Sequence, residues 1–251
     1  MRSTGKNAST APTARHTAAH RKLGAPSRGL RRAEWYHRPL MARVPKLLDV
    51  SVPLAAGIPA YPGNPDFELQ PIKRIADGGS SNVSRLVLGT HTGTHVDAPK
   101  HFIDDGAGVD ALPLDILIGR ARVIEITHRG GIGAEDLAAA GLREDLRVLL
   151  KTSNSRLWNS PTFHEDYTHV TEAGARYIVE QGVKLVGIDY LSIEQFRLAG
   201  APAHRMLLSN GVIIIEGLNL AEAEAGMYEM YCLPLPVSGG DGAPARVVLK
   251  R

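Results

Sequence analysis

The chain has 251 residues, of which 43% are hydrophobic and 22% charged, which is ordinary globular usage and room for one domain with a sizeable core. Its formal charge of +3 comes from the start of the chain: residues 1–40 hold nine of the 29 Lys and Arg but one of the 26 Asp and Glu, so the body is mildly acidic and a basic stripe for nucleic acid is excluded. No apolar run approaches the roughly 20 residues needed to cross a bilayer, and the single cysteine, Cys232, closes no intramolecular disulfide, which points to a reducing compartment such as the cytoplasm.

Residues 1–40 are rich in Ser, Thr, Ala, Pro and Arg and lack periodic apolar positions, so they are expected to form a disordered basic leader. Three readings of it stay open. It is an upstream stretch translated before a true start at Met41, a tail of unstructured use, or an Arg-rich targeting segment without the apolar core of a secretory signal. Patterned sequence begins at Met41-Ala-Arg-Val-Pro-Lys-Leu-Leu-Asp-Val50, so the folded domain is expected over 41–251.

A short strand is predicted over 47–52, followed by a stiff loop punctuated by Pro53, Gly57, Pro59, Pro62, Gly63 and Pro65. Residues 67–75 alternate as a second strand and Ser84-Arg-Leu-Val-Leu-Gly-Thr-His91 as a third. The short apolar runs beginning at Val123, Val148, Leu185 and Val212 have the composition of buried strands. Helices are predicted over 134–141, with acidic residues first and glycine last, and over 171–182, with Thr171 as the cap and Gly182 as the stop. This alternation, joined to a strand-rich first half, predicts a single α/β domain with a mixed β-sheet flanked by helices. Gly130-Gly-Ile-Gly133 lacks the preceding strand, spacing and following acid of a dinucleotide site.

Chemistry concentrates in His91-Thr-Gly-Thr-His95-Val-Asp97-Ala-Pro-Lys-His101. Equal parity sends side chains of an extended chain to one face, so a strand through this segment presents His91, His95 and Asp97 together, with Leu86 and Leu88 facing a core. Pro99 ends the ladder and lets His101 approach from a loop. Imidazole nitrogens and carboxylate oxygens are ligands for zinc, manganese or iron(II), and an aspartate bridges two ions through its two oxygens. Glu216 closes the apolar run from Val212 to Ile215, where a partly buried carboxylate needs a partner or a metal.

The segment resembles the signature His-x-Gly-Thr-His-x-Asp-x-Pro-x-His of the metal-dependent cyclase family, which includes bacterial kynurenine formamidase (arylformamidase) and isatin hydrolase, and it meets every fixed position. The similarity runs over nearly all of residues 45–251. It includes Pro62-Gly63 after an aromatic, Gly187-Ile-Asp189-x-x-Ser192, the stretch from His204 to Glu216-Gly-Leu-Asn-Leu220, and Leu233-Pro-Leu-Pro236 before a glycine loop and a terminal strand from Val247. The resemblance implies a swivelling β/β/α fold in which His91, His95 and Asp97 bind one metal. Asp97 also touches a second site, and His204 and Glu216 are the later ligands. One or two divalent ions, Zn²⁺ or Mn²⁺, are implied. His101 is then the acid/base residue: a metal-generated hydroxide attacks an amide carbonyl, and His101 protonates the departing nitrogen. Tyr61 stands where kynurenine formamidases tend to carry a tryptophan against the substrate, and a tyrosine also stacks on an aromatic ring. The implied reaction is hydrolysis of the C–N bond of a small aryl-formamide or cyclic amide, with no nucleic-acid or membrane partner. The alternatives are a cyclase or dehydratase of secondary metabolism and a metal-binding protein without catalysis. A homodimer or homotetramer, with neighbouring loops closing the site, is also implied.

Overall fold

Residues 46–251 are described by a computed structural model, so the disordered leader expected over 1–40 and the start at Met41 lie outside the described residues. Twelve strands are present among them: β1 (Leu47–Asp49), β2 (Glu68–Lys73), β3 (Val83–Val87), β4 (His95–Asp97), β5 (Ile118–Glu125), β6 (Gly131–Ile132), β7 (Arg147–Lys151), β8 (His169–Val170), β9 (Leu185–Ile188), β10 (Ile213–Glu216), β11 (Gly226–Pro234) and β12 (Gly242–Lys250). The helices are α1 (Leu114–Leu117), α2 (Ala134–Ala139), α3 (Glu172–Glu180) and α4 (Pro202–Ser209).

The main sheet runs β1-β12-β11-β5-β7-β9-β10-β4, and β4 also pairs with β12, so the sheet closes on itself. Strands β5, β7, β9 and β10 are mutually parallel; the pairings of β4, β11 and β12 are antiparallel. The mixed α/β domain is thus as expected, but closure makes it barrel-like, and helices cover less of it than a flanked sheet would suggest.

Alternation along the strands explains the two cores. Val123, Leu149, Leu185, Ile213 and Ile215 point inward with Met230, Cys232, Val247 and Leu249. Ile124, Val148, Leu150, Val186, Ile188 and Ile214 point outward and are covered by Leu137 of α2, Ile178 of α3 and Leu207 of α4. Truncating one of these buried leucines or isoleucines to alanine costs about 2–5 kcal/mol.

The third predicted strand is corrected. It ends at Val87 and pairs with β2 in a separate hairpin. Leu86, expected to face a core, is 57% exposed, as are Leu69 (58%) and Ile72 (66%), because nothing among the described residues covers that face. Alternating apolar residues were legible there, but not which sheet they join.

Close packing at Gly217 locks the two halves of the motif region together. Its φ is +72°, a conformation that strains any side chain. A Cβ there would overlap the carbonyl oxygen of Gly93 and lie 2.6 Å from its carbonyl carbon. Beside it, the Thr94 hydroxyl donates to the Gly217 carbonyl (2.6 Å) and accepts from the Val52 amide (2.9 Å). Gly217→Ala is expected to lose about 2–5 kcal/mol, from backbone strain plus overpacking. Gly211→Ala, with φ +70° but open space around the Cβ, should lose only the strain component. Paired thermal melts check this, and equal shifts for the two variants would remove the packing argument.

Candidate functional site

Strand pairing brings the distant carboxylate to the motif. β4 lies antiparallel to β10 with Glu216 opposite His95, and to β12 with Gly242 opposite Asp97. His95 and Asp97, two residues apart on β4, face the same way as expected.

His91 arrives differently from the expectation. Residues 91–94 form a turn rather than a strand, with Gly93 at φ +64°. Parity therefore does not place His91; the turn does, setting its Nδ1 2.8 Å from Asp97 Oδ1. His101 lies in a single 3-10 turn, Pro99–His101, directly after β4, so proline ends the ladder as predicted. Its ring stacks on His91 with centroids 3.9 Å apart and the planes 29° apart.

His204 sits in the first turn of α4, and Glu216 ends β10. His204 Nε2 lies 3.1 Å from Glu216 Oε1 and 3.6 Å from Asp97 Oδ2, and His95 Nε2 lies 3.4 Å from both Asp97 Oδ1 and Glu216 Oε2. The five residues His91, His95, Asp97, His204 and Glu216 thus converge, and all but His91 are buried. Tyr61 is brought to the cavity beside them but not to the cluster.

The arrangement fits a divalent cation. The Nδ1–H of His95 donates to the Gly93 carbonyl (2.9 Å), which leaves Nε2 as a bare lone pair facing two carboxylates. Asp97 is 0% exposed, and its Oδ2 has no hydrogen-bond partner. Acceptors gathered this way repel one another until protons or a metal ion come between them. Without a metal, protons do so. Burial alone pushes His95 down, but Asp97 and Glu216 outweigh it and hold the imidazole up at about 10. His204 is likewise raised well above its ordinary value against burial, by Asp97, Glu194 and Glu216. Burial pushes the Asp97 carboxyl up, but the charge of His91 and hydrogen bonds from the imidazoles hold it well below the usual carboxylate range.

A pH dependence follows. Stability drawn from a raised histidine is present in full below its unfolded value near 6.5 and is lost as pH climbs through the folded value, for His95 about 10. A divalent ion replaces those protons. The rise in Tm on adding Zn²⁺ or Mn²⁺ is therefore expected to grow from pH 6.5 towards pH 9.5. Melts at three pH values check it, and a shift that shrinks with pH would contradict it.

Four residues at the site carried no usable sequence signal of their own. Asp241, in the glycine loop before β12, accepts from His91 Nε2 (3.0 Å), and its Oδ2 lies 3.9 Å from His101 Nδ1. Glu194 accepts from the amides of Ala203 (2.9 Å) and His204 (3.2 Å) at the start of α4, and lies 3.5 Å from His204 Nδ1. It fixes the helix that carries the histidine and faces the far side of that imidazole. Phe102 stacks on His204 (4.5 Å, 28°), and Phe196 meets Tyr61 edge-on at 5.6 Å.

A cavity of about 220 Å³ opens onto the cluster, lined by Tyr61, Phe102, His91, His101, His204 and Glu216 among others. Phe163 touches Tyr61 edge-on at 5.5 Å, whereas Trp158 and Tyr190 pack behind it in the core. Asp189 takes four hydrogen bonds from Thr152 and Ser155, tying the end of β9 to the segment that follows its neighbour β7. His128 stays outside the site and pairs with Asp136 at the surface.

The Cyclase family model matches residues 48–195. A kynurenine formamidase of Geobacillus thermodenitrificans is 38% identical over 205 residues, which span 81% of this chain and 97% of that relative. A solved structure from Bacillus stearothermophilus, described as a predicted metal-dependent hydrolase, is 37% identical with a TM-score of 0.72, covering 83% of this chain and 99% of that one. Isatin hydrolase A from Labrenzia aggregata is 22% identical with a TM-score of 0.73 over 82% of this chain and 93% of its own, a likeness of fold.

Proposed function

The chain belongs to the cyclase family, and from that premise we propose that it is a metal-dependent amidohydrolase cleaving the C–N bond of a small aryl-formamide or cyclic amide. The observation that carries this reading is the convergence of three imidazoles and two carboxylates around the unpartnered, fully buried Asp97 Oδ2, with a further histidine on the cavity side. Kynurenine formamidase among the relatives supports the substrate class.

His91, His95 and Asp97 would hold one ion, and Asp97, His204 and Glu216 a second; this donor set suits Zn²⁺ or Mn²⁺. A divalent ion there polarises a carbonyl and lowers the pKa of water towards neutrality. Glu194 and the Gly93 carbonyl orient the imidazoles of His204 and His95 from behind, and Asp241 does the same for His91. His101 takes a proton from the attacking water and returns it to the leaving nitrogen. Tyr61 and Phe102 offer ring faces and edges to an aryl group, and Phe196 backs Tyr61 from outside the cavity lining.

The exposed apolar hairpin of Leu69, Ile72 and Leu86 supports a homodimer or homotetramer, since uncovered apolar patches of this kind mark interaction surfaces. The buried thiol of Cys232 suits a reducing compartment, the cytoplasm. Assays of N-formylkynurenine, isatin and simple lactams with Zn²⁺ and with Mn²⁺ test the function. Turnover of at least one is expected; inactivity towards all would overturn the hydrolase reading in favour of a ring-closing or dehydrating reaction.

A further inference from the structure

We propose that Arg197 forms a carboxylate-binding subsite of the cavity, so that the enzyme selects an aryl amide bearing an anionic group; this rests on the amidohydrolase reading above. Among the described residues lining the cavity, Arg197 alone is a lysine or arginine. Its guanidinium lies over the Phe196 ring, 4.8 Å from the centroid, and Phe196 in turn meets the edge of Tyr61. The permanent cation is thus held against a ring that backs the cavity-lining Tyr61.

Stacking on a ring orients a guanidinium and leaves its in-plane N–H groups for a planar anion. Among the described residues no carboxylate pairs with it; of the two glutamates lining the cavity, Glu216 is engaged with Ile193 and His204, and Glu194 is tied through Oε2 to the start of α4 while its Oε1 has no partner. Asn64 and Gln195 line the same cavity and add amide N–H donors. The backbone carries a second mark. Arg197 has φ +55° in the turn closed by the Leu198 amide and the Gln195 carbonyl (3.1 Å), a conformation in which glycine would be unstrained. Strain of this kind persists only where the surrounding structure holds it, so the turn fixes the direction in which Arg197 leaves the backbone.

The test is a matched pair of substrates, N-formylkynurenine and its carboxyl methyl ester, which differ in the anionic charge. Arg197 is exposed, so its contact is partly screened, and wild-type enzyme is expected to favour the acid by about 5–10-fold in kcat/KM, mainly through KM, the range of a bidentate pair open to solvent. Arg197→Gln should abolish the preference while changing ester turnover less than about threefold, and Arg197→Lys should restore part of it. Arg197→Gly should lose the preference without lowering Tm, because it relieves the turn. Equal effects on acid and ester, or none on either, would overturn the subsite. If wild type hydrolyses neither compound, the amidohydrolase reading fails for them, and calorimetric binding of L-kynurenine against its methyl ester still decides the subsite. Formate inhibiting wild type but not Arg197→Gln, with acid and ester used alike, would assign Arg197 to the released product and overturn the proposal.

Discussion

Alanine at position 101 is expected to lower kcat by about 10²–10⁴-fold, the usual contribution of a positioned acid/base group, while bound metal stays at the wild-type level. His101 stands apart from the buried cluster: it follows Pro99, lies on the cavity side and stacks on His91 rather than entering among the carboxylates. Burial, with the positive neighbours His91 and His204, pushes its pKa below the ordinary 6.5. The ring is therefore uncharged at neutral pH and ready to take a proton. It gains one only on the acid side of 6.5, so the acid limb of kcat/KM is expected below that pH and should vanish in the variant. His101→Asn keeps a polar side chain in the stack and should be as inactive. Loss of metal from either variant would make His101 a ligand and end its role as proton carrier; the nearness of Asp97, His101 and His204 ligand atoms makes that a real alternative outcome.

The site was legible to the extent that its residues are close in sequence. His95 and Asp97 share a strand face because the side-chain period of a strand is two, and that period is written in the chain. His91 joins them for a different reason: Gly93 turns the chain, and parity gave the right neighbour by the wrong route. Glu216 announced itself as a charge at the end of the apolar run of β10, yet its opposition to His95 depends on β4 closing the sheet between β10 and β12, a long-range pairing that no local pattern carries. For His204 the residues alone said little. Its helix α4 begins after Ala201 at φ +45° and is capped by Glu194 from the preceding loop, so the usual Ser, Thr or Asp start signal is missing. Asp241 was hidden for the same reason, in a glycine loop whose position depends on β12.

The fold shows the same division. The inner parallel strands β7, β9 and β10 were readable because both faces are buried and the runs are apolar throughout. Leu86 alternates as correctly as any core strand but belongs to a hairpin with an open face. Pattern fixes that a strand forms, and tertiary or quaternary contact decides what covers it.

Asp97→Asn is expected to be the most damaging change in the molecule. One carboxylate serves three imidazoles, with His91 at 2.8 Å, His95 at 3.4 Å and His204 at 3.6 Å, and it is wholly buried. Removing one member of such a buried charged group costs about 3–5 kcal/mol of stability, and loss of a shared ligand is expected to lower metal affinity by more than the roughly 10–100-fold of an outer-shell change. The amide nitrogen would also turn a donor towards positions where an ion must sit. Metal analysis after dialysis against micromolar Zn²⁺ should find the wild type loaded and the variant empty, with kcat at background. In the metal-free protein the same change should flatten the alkaline loss of stability between pH 6.5 and about 10, since Asp97 helps hold His95 and His204 protonated. Folding and metal binding thus separate: a variant that melts cooperatively, ignores added Zn²⁺ and lacks activity supports Asp97 as the shared ligand. Full metal occupancy with only kcat reduced would instead leave the remaining donors sufficient and remove Asp97 from the centre of the site.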